Sequence, residues 1–255
     1  MRSKPILVYI SFGTAFRFLN DANGGTPVYG DGWVIENIKR FFSLLKEFDL
    51  PVTERASWEL KTFHTKMLKK VKNHRLTSVE AKELKDIISG IRKTLFAEAK
   101  GKVAFIVNDK RYDVNKLLGD VRSLMAPGIF EKLPGVAKYD LEEAGKCIAF
   151  EHPTAAAFHI LRGTESVLRN YYCSIVKRSR VNPLLWGAIV TSLRSRRSFQ
   201  SATLLNHLDN IRLSFRNPTQ HPEKIYDIQE AQDLFGVCID VVNRMASSSV
   251  WVSVV

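Results

Sequence analysis

The stretch "SFRNPTQHPEKIYDIQEAQ", Ser214 to Gln232, holds a helix end, a stiff corner and a helix start. Just upstream, Leu204, Leu205, Leu208, Ile211 and Phe215 recur at helical steps, the period of one buried face. Pro218 and Pro222 are expected to stop that helix, because proline has no N–H to give and its ring strikes the preceding turn. Asp227-x-x-Glu230 is a capping box, and the stripe Ala231, Leu234, Phe235, Cys238, Ile239, Val242 and Met245 follows it. Amphipathic helices joined by short corners form up-and-down bundles, so the fold class is mainly α.

The same grammar extends upstream. Asp140 is placed as the cap of "LEEAGKCIAFE". His152-Pro153 opens a long helix with proline at its tolerated first position, striped by Ala157, Ile160, Leu161, Val167, Leu168, Tyr171 and Ile175. Another helix runs through "PLLWGAIVTSLRS". The breaker-rich "APGIFEKLPG" sets a boundary near Pro127, giving a helical bundle over 127–248 and an apolar tail over 249–255. The tail is either a strand or a docking segment.

Residues 1–126 form an accessory helical region carrying a short strand or two. "PILVYISF" and the start of "GKVAFIVNDKRYDV" are the expected strands, and Asp113 is expected to cap a short helix. Ile35, Ile38, Phe42, Leu45 and Phe48 stripe one helix, ended by Pro51. A second carries Leu60, Phe63, Met67 and Val71. A third opens at the box Thr77-x-x-Glu80 and continues through Leu84, Ile88 and Leu95. The short "NHRLT" connection makes the last two an antiparallel hairpin. Its lysine-rich outer face, Lys61, Lys66, Lys69, Lys70 and Lys72, is either a solvated surface or one that meets RNA or a protein.

The net charge of +12 over 255 residues favours polyanionic partners. Cys147, Cys173 and Cys238 are far apart and fit neither a disulfide framework nor a zinc knuckle, which suggests buried thiols in a reducing compartment. The apolar run of "MRSKPILVYISFGTAF" is short and has no clean cleavage site, and no stretch approaches about 20 apolar residues. A cytoplasmic protein without a membrane span is expected. There is no GxxxxGK[ST], so a phosphate loop is excluded, and no metal or cofactor is expected.

Arg216 and His221 bracket the corner. A guanidinium matches phosphate bidentately, and an imidazole exchanges protons near neutrality. Together they supply the minimum for metal-free RNA cleavage, with one group moving the proton and the other holding charge on phosphorus. Between Arg162 and Gln200 the bases include Arg162, Arg169, Arg194, Arg196 and Arg197, against the single acid Glu165. This pattern suits an electrostatic track for RNA, with Tyr171 and Tyr172 either core or dimer-interface residues, the reading preferred, or stacking platforms along it. His159 reads as structural.

The segment "RNPTQH" resembles the Arg-x(4–6)-His motif of the HEPN superfamily, with Asn217 as the polar residue after the arginine. "YDLEEAGKCIAFEHPTAAAFHILRGTESVLRNYY" and "FRNPTQHPEKIYDIQEAQDLFGVCIDVV" are similar to bacterial HEPN-containing proteins over roughly residues 130–246. Departures are Phe215 for a tryptophan, Glu151-His152 for a Gly-Arg pair, and Gly163-Thr164 within the helix. The resemblance implies a dimerising helical bundle. It also implies a metal-independent endoribonuclease of anti-phage or stress defence, a toxin or abortive-infection effector cutting tRNA or mRNA. The alternative is a non-catalytic nucleotide- or protein-binding subunit beside an antitoxin or defence partner. Carried over, Arg216 binds the scissile phosphate, His221 is the general acid/base, and Asn217 orients the turn or contacts phosphate. Glu165 either orients Arg216 or His221 or simply pairs with Arg162 along its helix.

Overall fold

The computed structural model describes residues 4–178, 180–196 and 201–252. The chain divides into two compact units, Met1–Phe105 and Ile106–Val255, each with its own apolar core. The described residues are mainly helical and contain no strand, only an isolated antiparallel bridge between Pro27 and Arg75.

The first unit comprises α1 (Ile6–Asp21), α2 (Val34–Glu47), α3 (Pro51–Ala56), α4 (Trp58–Leu68) and α5 (Ser78–Ala99). "PILVYISF", expected as a strand, is the start of α1. Its apolar run continues at helical spacing, so Phe12 and Phe16 meet Phe41 of α2 while Ala15 and Leu19 are buried. Pro51 begins α3 instead of closing α2, and that helix start is satisfied from α5. Glu98 accepts the backbone N–H groups of Val52 and Thr53 and the Thr53 hydroxyl. The expected Thr77/Glu80 box is present, whereas Val71 lies beyond α4 and is exposed. On the lysine-rich face, Lys61, Lys66 and Lys70 pair with Glu54, Glu83 and Glu80. The second expected strand is also missing: Val103, Phe105 and Ile106 are exposed and irregular, with no strand among the described residues for them to pair with.

The second unit holds α6 (Val114–Gly119), α7 (Gly135–Ala149), α8 (Pro153–Ile175), α9 (Trp186–Arg194) and α10 (Ala202–Ile211). A π-helical turn, Arg212–Arg216, leads into the single turn α11 (Asn217–Thr219), and α12 (Ile228–Ala246) follows. This unit begins at Ile106, ahead of Pro127, because Leu117, Val121 and Met125 are buried in its core. Asp113 caps α6, and the Asp227/Glu230 box caps α12. α8 packs against α7, α9 and α12, with its expected stripe buried apart from the partly buried Ile175. Gly163 lets α7 and α8 approach closely: a Cβ there would lie 3.1 Å from Asp140 Cβ. Tyr171 and Tyr172 are buried in the core, out of reach of stacking bases. Of the tail, Trp251 packs against the core and Val252 exchanges hydrogen bonds with Asn170 and Ser174 of α8.

Candidate functional site

Pro218 does not end the helix where the sequence pattern predicts. In a regular helix its ring would strike the Ser214 carbonyl. The π turn over Arg212–Arg216 widens the helix there, and the chain runs on through α11. The corner is braced by hydroxyls as well as prolines. The Thr219 and Tyr226 hydroxyls share a hydrogen bond of 2.6 Å in which either can be the donor, and their oxygens lie 2.7 and 3.1 Å from the Phe215 carbonyl oxygen, which accepts from the hydroxyl that remains free to donate. Thr219 and Tyr226 are buried, Tyr226 stacks on Phe215, and burial pushes its phenol up from its ordinary range.

Held this way, Arg216 faces α8. Its Nη2 lies 3.5 Å from Oε2 of Glu165, whose other oxygen accepts from Arg169 Nη2 at 2.6 Å. Of the two roles left open for Glu165, the geometry has the link to Arg216. Arg162 instead turns to α7 and forks onto Asp140, through Nε at 2.7 Å and Nη2 at 2.5 Å. That bridge raises the Arg162 pKa above its ordinary value. The same carboxylate meets His159 Nδ1 at 2.9 Å. Asp140 is therefore no helix cap: it lies inside α7, fully buried, on the face carrying Ala137, Leu141 and Ala144.

A cavity of about 260 Å³ opens between α8 and the corner, lined among others by Phe158, His159, Arg162, Glu165, Arg216 and Gln220. His221 follows in the turn, exposed, its backbone N–H bonded to the Pro218 carbonyl. Its imidazole has no hydrogen-bond partner among the described residues. Asn217 opens α11 and shares its carbonyl with the Gln220 N–H.

Among the expected RNA-binding arginines, Arg162 lines the cavity and Arg169 is tied to Glu165. Arg194 leaves α9 to bond Asp209 at 2.8 Å, and neither it nor Arg196 is on the cavity wall. Arg197 lies outside the described residues. The sequence pattern missed Asp140 and His159 as a pair, along with Thr219 and Tyr226. A carboxylate at a helical step from Ala137 and Ala144, inside an apolar stripe, was the available signal for the first of these.

All three cysteines are free, and burial pushes Cys238 up to about 12. No described helix is long and apolar enough to cross a membrane. Compared with protein-family models, curated proteins and solved structures, the chain matches none of them.

Proposed function

We propose that this chain is a metal-independent endoribonuclease of HEPN type, a cytoplasmic toxin or abortive-infection effector acting on tRNA or mRNA. The observation that carries the proposal is the placement of Arg216. Glu165 holds it at the wall of a cavity that Arg162 also lines, with His221 exposed five residues later on the same corner. Arg216 grips the scissile phosphate and His221 moves a proton, while Asn217 and Arg169 flank the substrate strand. Self-association of the bundle doubles the site, and the positive charge draws RNA toward it.

Purified protein should cut RNA in EDTA, leaving 2′,3′-cyclic phosphate and 5′-hydroxyl ends. Arg216→Ala and His221→Ala should each slow cleavage by about a hundredfold or more. Activity that requires added metal, or that survives both substitutions, refutes the proposal. Growth arrest on expression of the wild type and not of His221→Ala tests the defence role. Sedimentation equilibrium tests the dimer.

One observation favours a second reading. The His221 imidazole has nothing to orient it among the described residues, as suits a subunit that binds nucleotide or a protein partner without cleaving. RNA left intact in EDTA, together with nucleotide binding that Arg216→Ala abolishes, is the result that selects it.

A further inference from the structure

We propose that His159 is a catalytic residue of this cavity, the imidazole that takes the proton from the ribose 2′-OH. The assignment rests on the ribonuclease function proposed above and adds a base that the Arg216/His221 motif does not contain. Asp140 has no exposed surface, and its carboxylate meets three nitrogens: Nε and Nη2 of Arg162, and Nδ1 of His159. A carboxylate gripped by a guanidinium fork accepts hydrogen bonds and donates none. The His159 proton therefore sits on Nδ1, and in the neutral ring Nε2 carries the lone pair.

Nε2 has no hydrogen-bond partner among the described residues, and the ring stands on the wall of the cavity that Arg216 also lines. Tyr139 meets the ring edge-on, with centroids 6.3 Å apart. The charged and titratable groups around it are Asp140 and Tyr139 from α7, Arg162 and Glu165 from α8, and Arg216 across the cavity. An imidazole fixed at one nitrogen by a buried carboxylate, with the other nitrogen unpartnered on the wall of a cavity that Arg216 also lines, is the arrangement that makes a weak base effective. Among the described residues His221 has no such anchor.

In the step, the 2′-oxygen attacks phosphorus as its proton passes to His159 Nε2. The O2′–P bond forms and the P–O5′ bond breaks. The departing 5′-oxygen takes a proton from protonated His221, and both imidazoles reset by exchange with water. The products are a 2′,3′-cyclic phosphate and a 5′-hydroxyl, with no metal or redox partner needed.

The test is single-turnover and steady-state cleavage of a short RNA in EDTA by the full chain and its variants. His159→Ala should lose about a hundredfold in kcat with little change in KM, and added imidazole should restore part of the loss. His159→Asn decides between catalysis and structure. Its side-chain N–H can replace the Nδ1–H bond to Asp140 while supplying no base, so it should be as slow as His159→Ala. If His159→Asn cuts at the wild-type rate while Arg216→Ala does not, His159 is only a partner of Asp140 and the assignment is overturned. A wild-type chain that leaves RNA intact overturns the ribonuclease function itself, and His159 catalysis with it, without reference to any variant.

Discussion

Arg162→Ala should destabilise the second unit more than Asp140→Asn, although both cut the same bridge. Asp140 is fully buried, whereas the Arg162 side chain keeps 60 % of its surface in water. Removing the arginine strands a buried carboxylate with His159 as its one remaining side-chain partner. Stranding a buried charge costs roughly 3–5 kcal/mol, and the surviving histidine contact together with the nearby cavity places this case at the low end, about 3. Asparagine instead keeps the shape and buries no charge, while the freed guanidinium turns to solvent, so a near-surface cost of about 1 kcal/mol applies. For a unit of this size each kcal/mol moves the melting temperature by roughly 2–4 °C, giving a fall of about 6–12 °C for Arg162→Ala and about 2–4 °C for Asp140→Asn. Differential scanning calorimetry of the full chain at neutral pH, checked by urea titration, measures both. An Asp140→Asn variant that melts at or below Arg162→Ala refutes the reasoning, because the cost would then follow the number of bonds lost and not the stranded charge.

Other expectations concern single groups. Burial alone would raise the Glu80 pKa, but the Thr77 N–H, His74 and Lys70 outweigh it and hold the carboxyl at about 2. Its stabilisation is present above the ordinary 4.5 and is lost as pH falls toward 2, so Glu80→Gln should flatten that acid limb in pH-dependent urea melts. A Cβ at Gly145 would stand 2.5 Å from the Leu117 carbonyl oxygen, so Gly145→Ala should cost about 1–3 kcal/mol. Gly90→Ala, in an open position of α5, should gain about 0.5–1 kcal/mol, and opposite shifts of the melting temperature check the pair. Because burial holds the Cys238 thiol at about 12 and also pushes the Cys147 thiol up, mass spectrometry after mild alkylation should find Cys173 modified ahead of Cys147 and Cys238 intact until the chain unfolds.

What could be read from sequence followed the range of the interactions. Both capping boxes close within one helical turn, and the stripe of α12 depends only on spacing, so Thr77, Asp227 and the residues from Ala231 to Met245 were legible. The Pro153 start of α8 was legible for the same reason. Asp140 was misplaced because its partner Arg162 lies 22 residues away on another helix, a pairing that local pattern cannot express. "PILVYISF" and the residues around Phe105 are apolar runs that fit strand and helix alike, and neither found a sheet. At the corner, Arg216 and Glu165 were named from sequence and do meet. The Thr219–Tyr226 brace was not named, since hydroxyls seven residues apart carry no signal until the chain folds back.

The π turn over Arg212–Arg216 holds one residue more than uniform helical bonding would use. Each residue rotates a helix by about 100°, so this surplus sets the compass bearing of everything after it. Regular α bonding over the same residues between Ile211 and Arg216 would swing the guanidinium about a quarter-circle off its heading toward Glu165. The wider turn, by absorbing that residue, aims the cation.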